Sequence, residues 1–425
     1  MATITVDQQK LVLNTFAAYF QNNLLSKDLV TWKQYDSEMN DRNGLKVVEQ
    51  VGPRYNTTRT TSGVVDLTTG VQDTVFGSEI FTVQDVFGSS MGWGDFVKIR
   101  DINEARESEA LKNAATNMAE QIDAYILKTV QLAANNEVGT PGNNISTLGG
   151  VLAGYTRLKK EGVDDSDLRL VLAYDDKEAL ANTLIAYPAT DSLSTGAFRK
   201  GFTGEIGGLP SMFTQQLGVL TPGTRTNGTV TGGAQNVNYS SVSVSGAQGQ
   251  YLTQTLIVGG LGAAGTVNDG EIFTIANVYA YDNRKQAVQT HLQQFRVVGS
   301  FVADGAGAAT IRIFPALVIP NGGANTAHAT VGTAPAGGAV ITFRGTASTA
   351  YMPRVIAQKS AIVMATADLI MPATGTASRK ALTQLPLSVR MWQDSQFATG
   401  THQIRFDVAC TANVRDRRRI VRLNG

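Results

Sequence analysis

The glycines at 260, 262 and 265 make the most pointed chemical suggestion in the chain. Gly260-x-Gly262-x-x-Gly265 comes directly after the apolar run Thr255-Leu-Ile-Val258, which matches the dinucleotide-binding fingerprint letter for letter. That chemistry requires a helix to begin at the glycines, so that its N-terminal N–H groups can hold a pyrophosphate. The chain instead continues with Val267-Asn268-Asp269-Gly270-Glu271, a turn signal, and then the β-branched and aromatic run from Ile272 to Tyr281. The spacing predicts strand, turn, strand within a small antiparallel barrel. The fingerprint is read as a decoy, and no cofactor is expected.

The other reactive residue types are scattered. His291, His328 and His402 are the only histidines, and none has a companion at metal-ligand spacing. There is no Gly-x-Ser-x-Gly elbow and no Gly-Lys-Ser/Thr phosphate loop. Cys410, the single cysteine, lies in the apolar run Ile404 to Cys410 and reads as a buried small hydrophobe. It can form no intrachain disulfide, so synthesis in a reducing compartment is expected. The pairs Asp164-Asp165 and Asp175-Asp176 read as a polar turn and a helix start, where carboxylates suit the dipole. Arg415-Asp416-Arg417-Arg418-Arg419 is the one basic cluster. It is either a contact for phosphates or a neighbour's acidic patch, or a salt-bridged turn between two C-terminal strands. No catalytic residue and no metal are expected.

The totals narrow the function classes. Lys plus Arg number 36 against 35 for Asp plus Glu; a dedicated nucleic-acid binder carries a basic excess. Hydrophobic residues make up 43% and glycine 43 of 425 residues, enough for a sizeable core and rich in tight turns. No signal-peptide pattern opens the sequence, and no apolar run reaches the ~18 residues that span a bilayer.

Periodicity and turn residues mark the elements that would position these groups. Residues 5–25 read as an amphipathic helix with Leu13, Phe16, Ala17, Phe20 and Leu24 on one face, started by the capping pair Thr5 and Gln8. So close to a terminus, it is expected to be an arm docking on a neighbour or the edge of a core. Residues 45–98 are β-rich and read as a long extended hairpin. Residues 101–135 read as a long helix capped by Asp101, with Leu111, Ala115, Met118, Ile122, Ile126 and Leu132 on its apolar stripe. A helix–strand–helix unit is expected over 147–187, and a strand over 211–219. From 221 to about 347, strands are expected every 8–12 residues or so, at Val242, Leu256, Ile272, Phe295–Val298, Ile311–Phe314 and Val340–Phe343. More strands are expected from Arg354 to Leu423. The simplest topology is a β-barrel inserted into an α+β domain whose sheet is completed afterwards.

Three stretches carry a family resemblance: Gly207-Gly208-Leu209-Pro210-Ser211 through Leu217-Gly218-Val219-Leu220-Thr221; Gly265-Thr266-Val267 with Gly270-Glu271-Ile272-Phe273-Thr274-Ile275-Ala276-Asn277-Val278; and Lys359-Ser360-Ala361 through Ala365-Thr366-Ala367-Asp368-Leu369 with Pro372. With the order of elements, they resemble the major capsid proteins of tailed bacteriophages, the Hong Kong 97 fold, in the podophage branch that carries an inserted barrel. The resemblance implies an N-terminal arm at 1–44, an extended loop at 45–85, and a spine helix with peripheral domain at 86–165. It implies an axial domain at 166–221 and 348–425, interrupted by the inserted barrel at 222–347. The implied function is a coat protein, self-assembling into hexamers and pentamers of an icosahedral virion head around double-stranded DNA. Assembly would take place in the host cytoplasm with a scaffolding protein and portal, and with a cement protein as a further partner. Phe16, Phe20, Arg54, Arg59, Arg417 and Arg418 are the expected assembly contacts. The family pairs a charged loop of the inserted domain across capsomers; here the equivalent stretch, about Val244 to Tyr251, has no charge. The rival readings are an encapsulin-like nanocompartment shell and a nucleotide-dependent enzyme built on Gly260–Gly265.

Overall fold

The computed structural model describes residues 6–35, 45–55, 75–92, 108–185, 205–243, 251–373, 375–396 and 401–425, and the chain divides into two compact units. The mixed α+β plan is the one expected.

The first unit takes residues 1–47, 81–129 and 359–414. Its sheet runs in the order Thr31–Gln34, Ile362–Ala367, Thr401–Val414, Ser388–Gln396, Thr376–Ala381, and Val86–Gly92 also pairs with Thr401–Val414. Thr31–Gln34 runs parallel to Ile362–Ala367, and the other pairings are antiparallel. Every residue of Ile362–Ala367 is buried, as a central strand covered on both faces must be. The arm helix, Val6–Asn23, lies over this sheet. Phe16 and Phe20 are fully buried, and the Phe16 ring stacks on Phe406 at 4.0 Å with 3° between planes. Gln9 donates to Gln393 at 3.0 Å. Of the two expected roles, docking on a neighbour or forming the edge of a core, the second describes Phe16 and Phe20, which pack within the chain.

The spine helix spans Glu109–Ala133. It starts later than the expected 101, and Asp101 and Glu104 lie outside the described residues. Leu111, Ala115, Ala119, Ile122, Ile126 and Val130 are fully buried, a spacing of three and four that keeps one face inward. At the edge of the same face, buried Asp123 accepts the backbone N–H groups of Leu25 and Ser26, each at 2.9 Å, and so caps the short 3-10 turn after the arm. The extended hairpin is narrower than 45–98. Leu45–Val51 pairs with Gly77–Val83, while Val86–Gly92 joins the sheet.

The second unit takes 48–80, 130–358 and 415–425. The expected single stretch 348–425 is therefore divided, because its strands 362–414 build the first unit's sheet. The second unit's main sheet runs Asn136–Val138, Ile420–Leu423, Arg354–Gln358, Leu168–Leu172, Leu209–Phe213, Glu205–Ile206. Strands from before and after the insertion thus lie side by side, with Ile356 opposite Leu170. The helix Leu148–Lys160 packs on it through Gly154, where a Cβ would stand 2.1 Å from Leu423. The expected strand 211–219 is shorter, Leu209–Phe213.

The insertion is a closed barrel. Its strands run in the order Ile341–Phe343, Ile272–Asp282, Ala287–Val297, Ala309–Phe314, Gln254–Gly259, Thr229–Val230. The last returns to the first, with Val230 N–H donating to Ala339 O at 2.9 Å and Ile341 N–H to Gly228 O at 2.7 Å. The ladder between Ala287–Val297 and Ala309–Phe314 is short, limited to Arg296 opposite Phe314 and Val297 opposite Ile313. Leu256, Val258, Phe273, Ile275, Phe295, Ile311, Ile313 and Ile341 fill the interior. The strand expected at Val242 is a short helix, Tyr239–Val242.

Phe406→Ala removes the ring that Phe16 stacks on, so the full-length chain is expected to lose about 3–5 kcal/mol of stability, the usual range for a buried Phe. Urea unfolding measures this; a loss below ~1 kcal/mol would mean that the arm is not packed as described.

Candidate functional site

The fingerprint glycines form a turn inside the barrel. Gly260 and Gly262 take positive φ of 75° and 87°, the left-handed region that glycine tolerates. The N–H groups that would have to meet a phosphate are already engaged: Leu261 donates to Gly307 O at 2.9 Å, Ala264 to Asp304 O at 3.1 Å and Gly265 to Gly262 O at 3.0 Å. Strand Thr266–Val267 comes next, then strand Ile272–Asp282. The helix that a dinucleotide site needs does not begin here.

The acidic pairs are structural in their contacts. Asp176 is buried and accepts the N–H of Ala173 at 3.0 Å and of Ile145 at 2.9 Å. It also pairs with Arg354 at 2.5 Å. Its bond back to Ala173, three residues earlier, is the return half of a capping box at the start of helix Tyr174–Ile185. Asp165 receives Lys159 and the Tyr155 hydroxyl. Cys410 is buried, and burial pushes its thiol far up. Among the described residues no group of His, Cys, Asp and Glu is arranged to hold a metal, and no helix is long and apolar enough to cross a membrane.

His291 and His328 are held neutral. Burial, with Arg157 and Lys160 nearby, lowers His291 to about 4. His328 is lowered to about 3 by burial, then by Arg418 and Arg54. A neutral imidazole can accept, and His328 Nε2 takes the backbone N–H of Arg54 at 3.1 Å. Its ring stacks on Tyr239 at 3.7 Å. The side chain of His402 lies outside the described residues.

The expected assembly contacts fall into two groups. Phe16, Phe20, Arg417 and Arg418 are engaged within the chain. Arg417 is 3% exposed and pairs with Glu79 at 2.7 Å. Arg418 and Arg419 both reach Asp416, at 3.1 Å each, inside the 3-10 turn Arg417–Arg419. The salt-bridged turn is thus the reading that the geometry supports for Arg417 and Arg418. Arg54 is exposed, and the facing charge of Arg418 lowers its pKa. Arg59 lies outside the described residues. Sequence reasoning missed Glu79, Asp123 and Asp407, all buried carboxylates. Their only signal was position in an apolar strand or on a helix; the partners of Glu79 and Asp123 are far away in sequence, while Asp407 is held by Arg405 and Arg390.

Asp416 gives a pH prediction. Burial raises its pKa, but Arg418 and Arg419 outweigh burial and hold the carboxyl well below the usual range. A depressed folded pKa supplies stability that is present above the unfolded value near 4 and lost as pH falls toward the folded one. Asp416→Asn is expected to cost about 3–5 kcal/mol at neutral pH, because two cations lose their partner. It is also expected to flatten the fall of stability below pH ~4. Equal slopes in acid unfolding curves of the two proteins would contradict this.

Comparison with known proteins points the same way. The model of the family described as P22 coat protein, gene protein 5, matches residues 1–420. No curated protein matches the chain. Among solved structures, the mature capsid of bacteriophage PhiM1 is 11% identical, with 93% of this chain and 85% of that one covered at a TM-score of 0.42. The virus-like particle from Pyrococcus furiosus is 6% identical over 99% and 100%, at 0.39. The CUS-3 coat protein I-domain is 20% identical, covering 28% of this chain and 96% of that one, at 0.21. At such scores the superpositions carry no weight, and the family match along nearly the whole sequence decides the matter. The chain belongs to the P22 coat protein family and is a phage major capsid protein, a structural component of the virion.

Proposed function

We propose that this subunit assembles into hexamers and pentamers that close as an icosahedral head around double-stranded DNA, with a scaffolding protein and a portal as assembly partners. The observation that carries the reading is the family match over residues 1–420, which gives a homo-oligomeric shell. The charge balance supports it. With 36 basic and 35 acidic residues, and several arginines neutralised inside, the wall would hold DNA without the salt-sensitive grip that many phosphate contacts create. Shell stability would then come from modest interfaces repeated by symmetry. Arg54 and Arg59, on the extended loop, are the remaining contact residues in this reading.

Electron microscopy of the purified chain, expressed with and without its neighbouring genes, tests the proposal. Closed shells of uniform diameter are expected in at least one preparation, and small soluble particles in both would overturn it. Arg54→Glu is expected to slow shell formation without lowering the subunit's unfolding midpoint, because it removes the like charge facing Arg418.

A further inference from the structure

Two desolvated guanidinium groups at the base of the barrel carry N–H donors that meet nothing. Arg296 is 4% exposed and Arg417 3%. Each touches one carboxylate: Arg296 Nη2 reaches Asp269 at 3.0 Å, and Arg417 Nη2 reaches Glu79 at 2.7 Å. The Nε and Nη1 of both have no hydrogen-bond partner among the described residues. They share one neighbourhood. Phe314 stands opposite Arg296 in the strand ladder, and its ring lies 5.5 Å from the Arg417 guanidinium. A third buried arginine, Arg422, donates to the carbonyls of Gln131 at 2.6 Å and Leu132 at 3.4 Å. Its Nη2 stands 3.0 Å from where a Cβ on Gly270 would be, and Gly270 adjoins Asp269.

Leaving buried donors unmet is costly, most of all on a charged group. The nearby carboxylates do not close the gap. The second oxygen of Glu79 accepts the Tyr251 N–H at 2.6 Å. Asp269 Oδ1 also accepts the Gly299 N–H at 2.8 Å, and its side chain is 37% exposed, which weakens its field. Glu137 stands opposite Arg422 in the strand ladder, and Tyr351 bonds to both. Burial, then Arg417 and Arg422 working against Asp269 and Glu79, lowers Arg296 to about 10. The two desolvated cations thus have one fully desolvated carboxylate, Glu79, between them among the described residues, and water would supply acceptors but no charge.

We propose that Arg296 and Arg417 bind a small monovalent anion of the halide class, held by their Nε and Nη1 donors. The anion completes the junction of the barrel's strand Ala287–Val297 with the C-terminal segment, so it belongs to the folded subunit. A ligand that binds the native state alone raises stability by mass action and saturates.

The test is thermal unfolding of the full-length chain at constant ionic strength, with gluconate replaced stepwise by bromide. A rise in midpoint that levels off is expected. Arg296→Met is expected to abolish the levelling rise. Asp269→Asn keeps an oxygen facing Arg296 but removes the competing charge, and is expected to shift half-saturation to a several-fold lower bromide concentration. No levelling rise in the unmodified chain would overturn the proposal, as would an unchanged one in Arg296→Met or an unmoved or higher half-saturation in Asp269→Asn. Should Arg296→Met fail to fold, the unmodified chain and Asp269→Asn decide the matter.

Discussion

The buried pair of Glu271 and Arg225 closes the neck of the insertion. A chain that leaves a sheet for more than a hundred residues must come back where it left. The ordering cost of that closure falls on the few residues at the crossing. Glu271, 6% exposed, accepts Gly223 N–H at 2.8 Å, Asn268 N–H at 2.7 Å and Arg225 Nε at 2.6 Å. Arg225 in turn donates to Arg344 O at 3.1 Å and lies 4.3 Å over the Phe343 ring. One carboxylate therefore joins the outgoing segment, the barrel's own turn and, through Arg225, the returning segment. Just below, Leu220 and Tyr351 exchange backbone hydrogen bonds at 2.8 and 2.9 Å. Removing either charge would leave the other buried alone, which is far worse than losing a contact.

The same device recurs wherever distant segments meet. Glu79 with Arg417, Asp176 with Arg354, and Asp407 with Arg390 at 2.6 Å each join parts of the chain that lie far apart or belong to different strands. These pairs explain how a near-neutral chain can contain so many arginines while displaying little net charge. For a coat subunit the consequence is direct. Its internal ties are ionic and directional, and they fix the path of the chain before any neighbour arrives. The surface remains available for contacts of modest strength.

Much of this was legible in the sequence, for physical reasons. The spine helix was plain because Leu111, Ala115, Ile122 and Ile126 repeat at the helical period over many turns. The barrel was legible because Asn268-Asp269-Gly270 forbids the helix that the glycine fingerprint demands, and because strands such as Gln254–Gly259 alternate buried and exposed. What stayed hidden was identity of partner. Periodicity shows that Phe16 and Phe20 face something apolar, and it cannot say whether that is Phe406 of the same chain or a neighbour. Likewise nothing near Arg417 in sequence points to Glu79, 338 positions away. The division of 348–425 between two units was missed for the same reason, since strand pairing across the chain decides it.

The neck is tested most directly by hydrogen exchange on the full-length chain, with and without Glu271→Gln. If Glu271 holds the crossing together, amides over 220–225, 268–271 and 343–351 lose protection together. The barrel strands Gln254–Gly259 and Ala287–Val297 keep theirs, because their core and closed ladder are intact. Loss confined to the residues flanking 271 would contradict the account, as would simultaneous loss across the barrel strands.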